Sequence, residues 1–144
     1  MNLDVAIFSG GKATRLRGLW DRSKFFVPVG DIPLIDRIFD RIRELAPRSV
    51  YPLLDNTHSL EIMRHLFAMQ KYGLDIVPMN EGAPSGTAGA LSRLLGPMEG
   101  SFYRSRFERL PLMILNHDTL PLYPLTALAE HHAQRHGAWA TAAF

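Results

Sequence analysis

Cysteine is absent from the chain, which excludes disulfides, thiolate metal sites and cysteine nucleophiles and permits a reducing compartment. No apolar run approaches the roughly 20 residues of a membrane span. The opening MNLDVAIF has no basic segment ahead of its apolar residues, as a secretory signal requires. Repeats and low-complexity tracts are missing as well. The expected setting is therefore cytoplasmic, with no membrane partner. Neither sign of charge is in large excess: the net charge is +2, and the cations before residue 25 account for it without any nucleic-acid surface. Two common phosphate loops are also lacking. Gly10, Gly11 and Ala13 do not make a G-x-G-x-x-G, and no Walker-type glycine-lysine-serine/threonine follows.

What is present is concentrated between Ile7 and Lys24, IFSGGKATRLRGLWDRSK. It follows the apolar run Leu3 to Phe8, which reads as a buried parallel strand. Gly10-Gly11 lets a turn take positive φ and lets backbone N–H groups reach a ligand. Lys12, Arg15, Arg17, Arg22 and Lys24 add cationic side chains near the strand end, where open α/β sheets collect ligands. The stretch reads as an anion cradle for a phosphorylated ligand.

At 144 residues and 47% hydrophobic content, the chain suffices for one α/β domain but not two. Pro33 to Leu45 carries a helical stripe of Leu34, Ile35, Ile38, Ile42 and Leu45, with Asp31 near its start and Pro47 beyond its end. Val50 to Leu54 reads as a second strand, expected short or at a sheet edge because Pro52 cannot donate to a ladder. Ser59 to Tyr72 is the next helix, with Ile62, Met63, Leu66 and Phe67 inward and Gly73 as its stop. Leu74 to Met79 is the third strand. The alternation predicts βαβ units and a doubly wound, mostly parallel sheet with right-handed crossovers.

Glu81 to Leu91, EGAPSGTAGAL, leads from that strand through a loop into a helix beginning near Thr87, whose free N–H groups face the strand ends. Taken alone, it is an ordinary loop with a capped helix. Gly96 to Arg109 interleaves Arg104, Arg106 and Arg109 with Phe102, Tyr103 and Phe107. Such interleaving occurs in single-strand nucleic-acid binders, but a short packed helix is the preferred reading. Leu110 to Leu115 is an apolar strand running into Asn116-His117-Asp118-Thr119, so Asp118 falls on the same rim as Gly10 and Gly86. A carboxylate there suits Mg²⁺, which takes oxygen ligands and bridges phosphates. His132 and His136, four apart on a helix from Pro124 to His136, lack an indicated third ligand and read as structural. His58 and His65 are expected to face solvent, and Met63, Met69 and Met79 to fill the core.

S-G-G-K-A-T-R-L from Ser9 to Leu16, then Lys24, then V-P-V-G-D-I-P-L-I from Val27 to Ile35, resemble the signature of the sugar-1-phosphate nucleotidylyltransferases. These enzymes join a nucleoside triphosphate to a sugar 1-phosphate and release pyrophosphate. The resemblance implies a Rossmann-like nucleotide-diphospho-sugar transferase fold with Mg²⁺ as cofactor. It also implies that Arg15 and Lys24 are catalytic, stabilising charge on the phosphates. Ser9, Gly10, Gly11, Thr14, Arg15 and Lys24 would contact the nucleotide, with Glu81, Gly86 and Thr87 at its base. Asp118 would hold the metal, as the aspartate of the family's N-G-D does. Ala13 replaces a glycine of the pattern, and Ser23-Lys24-Phe25 replaces P-K-P one residue nearer the arginine. Ser85 replaces a leucine. His117 replaces the glycine of N-G-D and would strain a turn that needs positive φ.

Gly137 and the run Ala138 to Phe144 resemble the family's next strand. The resemblance thus covers nearly the whole chain but only the nucleotide-binding part of the family's domain. Residues 1–144 are expected to be the N-terminal portion of a single, truncated nucleotidyltransferase domain, without the C-terminal sugar-binding portion and without turnover alone. Expected partners are a nucleoside triphosphate and a sugar 1-phosphate, not nucleic acid. An uncovered apolar strand edge at 138–144 would favour a homo-oligomer or poor solubility. Two alternatives stand beside this reading. One is a molybdopterin- or alditol-phosphate type nucleotidyltransferase, in which the lysine comes sooner after the arginine and G-T-A-G-A is lacking. The other is a non-catalytic nucleotide-binding or regulatory module.

Overall fold

The computed structural model describes residues 2–9, 19–69, 72–82, 86–95, 111–138 and 140–143, with backbone only at Met69, Glu81, Thr87, Ala88, Arg93 and Leu95. Four parallel strands make the central sheet: β1 (Asp4–Phe8), β4 (Ser49–Asp55), β5 (Met79–Gly82) and β6 (Leu112–Asn116), in the order β5-β4-β1-β6. β2 (Pro28–Val29) and β3 (Ile32–Pro33) form a separate antiparallel hairpin. Its tight turn is made by Gly30 at φ +67°, a left-handed conformation that glycine takes without a Cβ penalty.

Among the described residues four helices flank the sheet: α1 (Leu34–Glu44), α2 (Ser59–Met69), α3 (Gly86–Leu95) and α4 (Leu125–Gln134). Alternate residues of a strand face opposite sides, and the core divides accordingly. Val5, Ile7, Val50 and Leu54 pack with Ile35, Ile38 and Ile42 of α1, Ile62 and Leu66 of α2, and Leu125 of α4. On the other face Ala6, Phe8, Tyr51 and Leu53 pack with Ala90 and Leu94 of α3. The crossovers through α1 and α2 step the same way along the sheet, from β1 to β4 to β5. The one through α3 steps back past β1 to β6, and a connection of unchanged hand must then run over the opposite face. The fold is the expected doubly wound, Rossmann-like one, and the strand order reverses at β1, between β4 and β6.

Several expectations for individual elements are corrected. β4 is neither short nor at an edge: it spans seven residues between β5 and β1. Val50 directs its N–H to Asp75 O and accepts from Val77 N–H, both at 2.8 Å. Backbone direction alternates along a strand, so Pro52 also turns its nitrogen toward β5. There the ladder is interrupted between the Val50–Ile76 bridge and the Leu53–Met79 pair, and the missing donor falls in that gap. The third strand begins at Met79 rather than Leu74, because Pro52 opposite has no N–H with which to continue the ladder from the Ile76 bridge.

Phe67 is half exposed while Ile62 and Leu66 are buried. His65 does not face solvent: its Nε2 lies 2.7 Å from the buried Asp36 Oδ1, and its ring meets Phe26 edge-on. Ala138 and residues 140–143 form no strand. Alanine offers little apolar area to bury, and the hydroxyl of Thr141 instead meets His132 Nδ1 at 2.9 Å. Gly96 to Arg109 lies outside the described residues.

Candidate active site

Open α/β sheets bind ligands beyond the carboxyl ends of their strands where the order reverses, which here means the ends of β1 and β6. β1 runs into Ser9, which is buried; its N–H and its hydroxyl both donate to Leu53 O of β4. β6 runs into His117, which donates its backbone N–H at 3.1 Å and its Nδ1–H at 2.9 Å to a single acceptor, Phe8 O. A carbonyl can only accept, so the proton sits on Nδ1 and the lone pair on Nε2. Burial pushes the imidazole pKa below its usual value, against the raising effects of the Phe8 carbonyl and of Asp118. His117 is therefore the neutral tautomer at neutral pH.

The strain expected of His117 in a glycine position is not found. Among the described residues, Ala46 is the only non-glycine at positive φ. The His117 ring has a place of its own, 5.1 Å from Phe25 and edge-on to it. That contact connects β6 to the segment carrying Lys24.

Lys24 opens a single 3₁₀ turn, Lys24–Phe26. Phe25 and Phe26 on its far side are buried, the Ser23 hydroxyl accepts from Phe25 N–H at 3.3 Å, and Trp20 Nε1–H donates to Ser23 O at 3.0 Å. The exit is held by Leu34 N–H donating to Val27 O at 2.9 Å, which also satisfies one of the free donors of α1. With its backbone fixed this way, Lys24 lays its ammonium 3.0 Å from Asp118 Oδ2. Burial alone would raise the Asp118 pKa, but the hydrogen bond from Lys24, with the charge of Lys24, outweighs it and holds the carboxyl below its ordinary value.

Two residues predicted for different roles from positions 94 apart in sequence thus meet directly. Arg22, counted among the cradle cations, is engaged elsewhere, with Glu61 at 2.6 Å and over the Phe26 ring.

Beside this pair lies a cleft with about 300 Å³ of space, open solvent included, lined by Ser9, Ser23, Lys24, Asp55, His58, Ile62 and His117. Asp55, at the carboxyl end of β4, accepts from Thr57 N–H at 2.8 Å and His58 N–H at 3.3 Å, shaping the entry to α2. Ser23 carries no sequence signal for this cleft, and His58, expected to face solvent, lines it. The reasoning that singled out Asp118, a carboxylate at a strand end, applies equally to Asp55.

Gly10, Gly11, Thr14 and Arg15 lie outside the described residues, and with them most of the predicted cradle. Glu81 belongs to β5 itself rather than to the loop after it. Gly86 is the first residue of α3, at φ +73°, and Thr87 follows it on the helix. Among the described residues no group of three or more histidine, aspartate or glutamate side chains is placed to hold a metal.

Residues 5–144 match the family described as nucleotidyl transferase. No curated relative matches the chain. Among solved structures, it is similar to a protein assigned as a glucose-1-phosphate thymidylyltransferase of Bacillus anthracis, at TM-score 0.72 and 16% identity over 92% of this chain and 50% of that one. HddC of Yersinia pseudotuberculosis, complexed with GMP-PN, gives 0.71 and 20% over 92% and 55%. A UDP-glucose pyrophosphorylase complexed with UDP-glucose gives 0.64 and 15% over 93% and 54%. The chain thus spans about half the length of these structures.

Proposed function

The chain belongs to the nucleotidyl transferase family, and on that premise we propose that it holds a nucleoside triphosphate at the ends of β1 and β6 for transfer to a sugar 1-phosphate with release of pyrophosphate. The observation that carries the reading is the meeting of Lys24 and Asp118 at 3.0 Å on the reversal point of the sheet. A cation and a carboxylate side by side there suit an anionic ligand that brings a divalent ion. The similar structures complexed with GMP-PN and with UDP-glucose support the same reaction class.

In the proposed reaction a phosphate oxygen of the sugar 1-phosphate attacks the α-phosphorus in line. The new P–O bond forms as the bond to the bridging oxygen breaks, and pyrophosphate carries away the electron pair. The attacking phosphate is already anionic, so no general base is required. The protein contributes position and charge. Lys24 and Arg15 neutralise charge on the phosphates, Gly10, Gly11 and Thr14 wrap them from the strand end that Ser9 ties to Leu53 O, and Glu81, Gly86 and Thr87 meet the base. His117, neutral and held on Phe8 O, keeps Asp118 and Lys24 on one rim.

Members of the family generally use a divalent metal, and the residues here fit Mg²⁺. That ion takes one or two protein carboxylates and leaves its other positions to water and phosphate. Asp118, ionised and with 44% of its side chain exposed, is such a ligand. When bound, the ion supplies charge neutralisation to the phosphates.

The alternative reading is a nucleotide-binding module without turnover. Calorimetry with the five common nucleoside triphosphates in Mg²⁺, followed by a pyrophosphate-release assay across sugar 1-phosphates, separates the two. Binding with release supports transfer, binding alone supports the module, and no binding removes both.

A further inference from the structure

We infer that the Lys24–Asp118 ion pair is a resting latch, in which each residue occupies the other's ligand position until a divalent cation or an anion takes one partner and frees the other. The inference rests on the nucleotide-binding reading but concerns how the site is held when nothing is bound. One oxygen of Asp118 is taken by Lys24 Nζ at 3.0 Å. A cation arriving at that carboxylate must displace a like-charged ammonium, and a phosphate arriving at Lys24 must displace a like-charged carboxylate.

The surrounding geometry confines this exchange to the two side chains. Lys24 is fixed at its backbone by the buried Phe25 and Phe26 and by the Ser23 and Trp20 hydrogen bonds. Asp118 follows His117, which is tied twice to Phe8 O. The Phe25–His117 ring contact joins the two anchors, so neither segment can withdraw to open the pair. Lys24 has a long, jointed stem and is 24% exposed, and Asp118 is 44% exposed. Both can therefore turn toward the cleft or solvent without disturbing the core.

When a cation takes Asp118, the freed ammonium loses that counter-charge, and an anion there restores one. The coupling is positive and, by linkage, reciprocal. The latch also keeps the isolated carboxylate from holding a cation tightly before the anion arrives.

The chain has three lysines, Lys12, Lys24 and Lys71, so lysine side-chain ¹⁵N labelling gives three ammonium signals, and K24M identifies one of them. Titrating the 144-residue chain with MgCl₂ alone, without nucleotide, is expected to move the Lys24 signal to the position of a solvated lysine. D118N, without magnesium, should show the same position from the start. Calorimetry should find Mg²⁺ bound more tightly by K24M than by wild type, by roughly 1.5- to 5-fold, the range that breaking one exposed ion pair implies. R22M removes a nearby charge paired to Glu61 rather than Asp118 and should change Mg²⁺ affinity less than K24M does. A heat of Mg²⁺ binding with the Lys24 signal unmoved would overturn the latch and leave nucleotide binding standing. Equal gains in R22M and K24M would reduce the effect to general charge and overturn it as well. The absence of any Mg²⁺ binding would remove Asp118 as a metal ligand together with the latch.

Discussion

His117 spends two donors, its backbone N–H and its Nδ1–H, on the single carbonyl of Phe8, and so ties the end of β6 to the end of β1 just where the strand order reverses. This burial has a pH consequence. The folded-state pKa of His117 lies below the unfolded value of 6.5, so the unfolded chain takes up the proton first. The stability contribution is complete above pH 6.5 and is lost as pH falls from there through the folded pKa. Urea midpoints are expected to decline over that window in wild type and to decline less in His117→Gln. Identical pH slopes in the two proteins would show that another group is responsible.

Asp118 titrates in a different window. Its pKa is depressed below 3.8, so its contribution is present above that value and lost as pH falls through the folded pKa. Asp118→Asn removes this acid-range component and is expected to abolish the Mg²⁺ dependence of nucleotide affinity. The metal-free melting temperature should change little, because an exposed ion pair is worth only about 0–1 kcal/mol. Unchanged Mg²⁺ dependence in Asp118→Asn would return the residue to a purely structural role.

Arg15→Ala is expected to weaken nucleoside triphosphate binding by about 1–3 kcal/mol through lost charge-assisted hydrogen bonds. Calorimetry at fixed ionic strength measures it. Equal affinities would take Arg15 out of the site.

Asp36 is a buried carboxylate that accepts from the Tyr72 hydroxyl and meets His65 Nε2 at 2.7 Å, joining α1 to α2 and to the segment after it. Burial, with the hydrogen bond to Asp36 and the charges of Asp36 and Asp40, pushes the Tyr72 phenol far above its ordinary value. Tyr72 should therefore stay protonated through about pH 11 in an absorbance titration, until the protein unfolds. Asp36→Ala leaves the phenol buried without this acceptor and should lower the unfolding free energy by about 1.5–3 kcal/mol. A normal phenol titration in wild type would contradict this description.

Gly86 begins α3 at φ +73°, and an added Cβ there would meet no atom of the described residues within 4 Å beyond its chain neighbours and its own helix backbone. Gly86→Ala is thus expected to cost only the left-handed backbone penalty, about 1–2 kcal/mol, in a urea titration. Any further loss, seen in nucleotide affinity, would report a methyl group placed against the ligand. Wild-type affinity in a folded Gly86→Ala would move the base away from this residue.

The features legible in the sequence were those encoded by neighbours a few residues apart. The helical stripe of α1, the apolar run of β1, the glycine at the start of α3 and the carboxylate at the end of β6 all follow from local periodicity and backbone preference. The order of elements then prescribes a doubly wound sheet, because parallel strands need crossovers of one hand. Tertiary structure decided what depends on distant partners. Pro52 is accepted in a central strand because its missing donor faces an interrupted ladder. His65 turns inward because a carboxylate on another helix awaits it, and the alanines after 137 do not pair because they have little surface to bury. His117 is unstrained because Phe8 O and the Phe25 ring receive it. Lys24 and Asp118 could each be proposed from its own surroundings, but their contact across 94 positions exists only once the sheet has brought the end of β6 beside β1 and the buried Phe25 has fixed the turn between them.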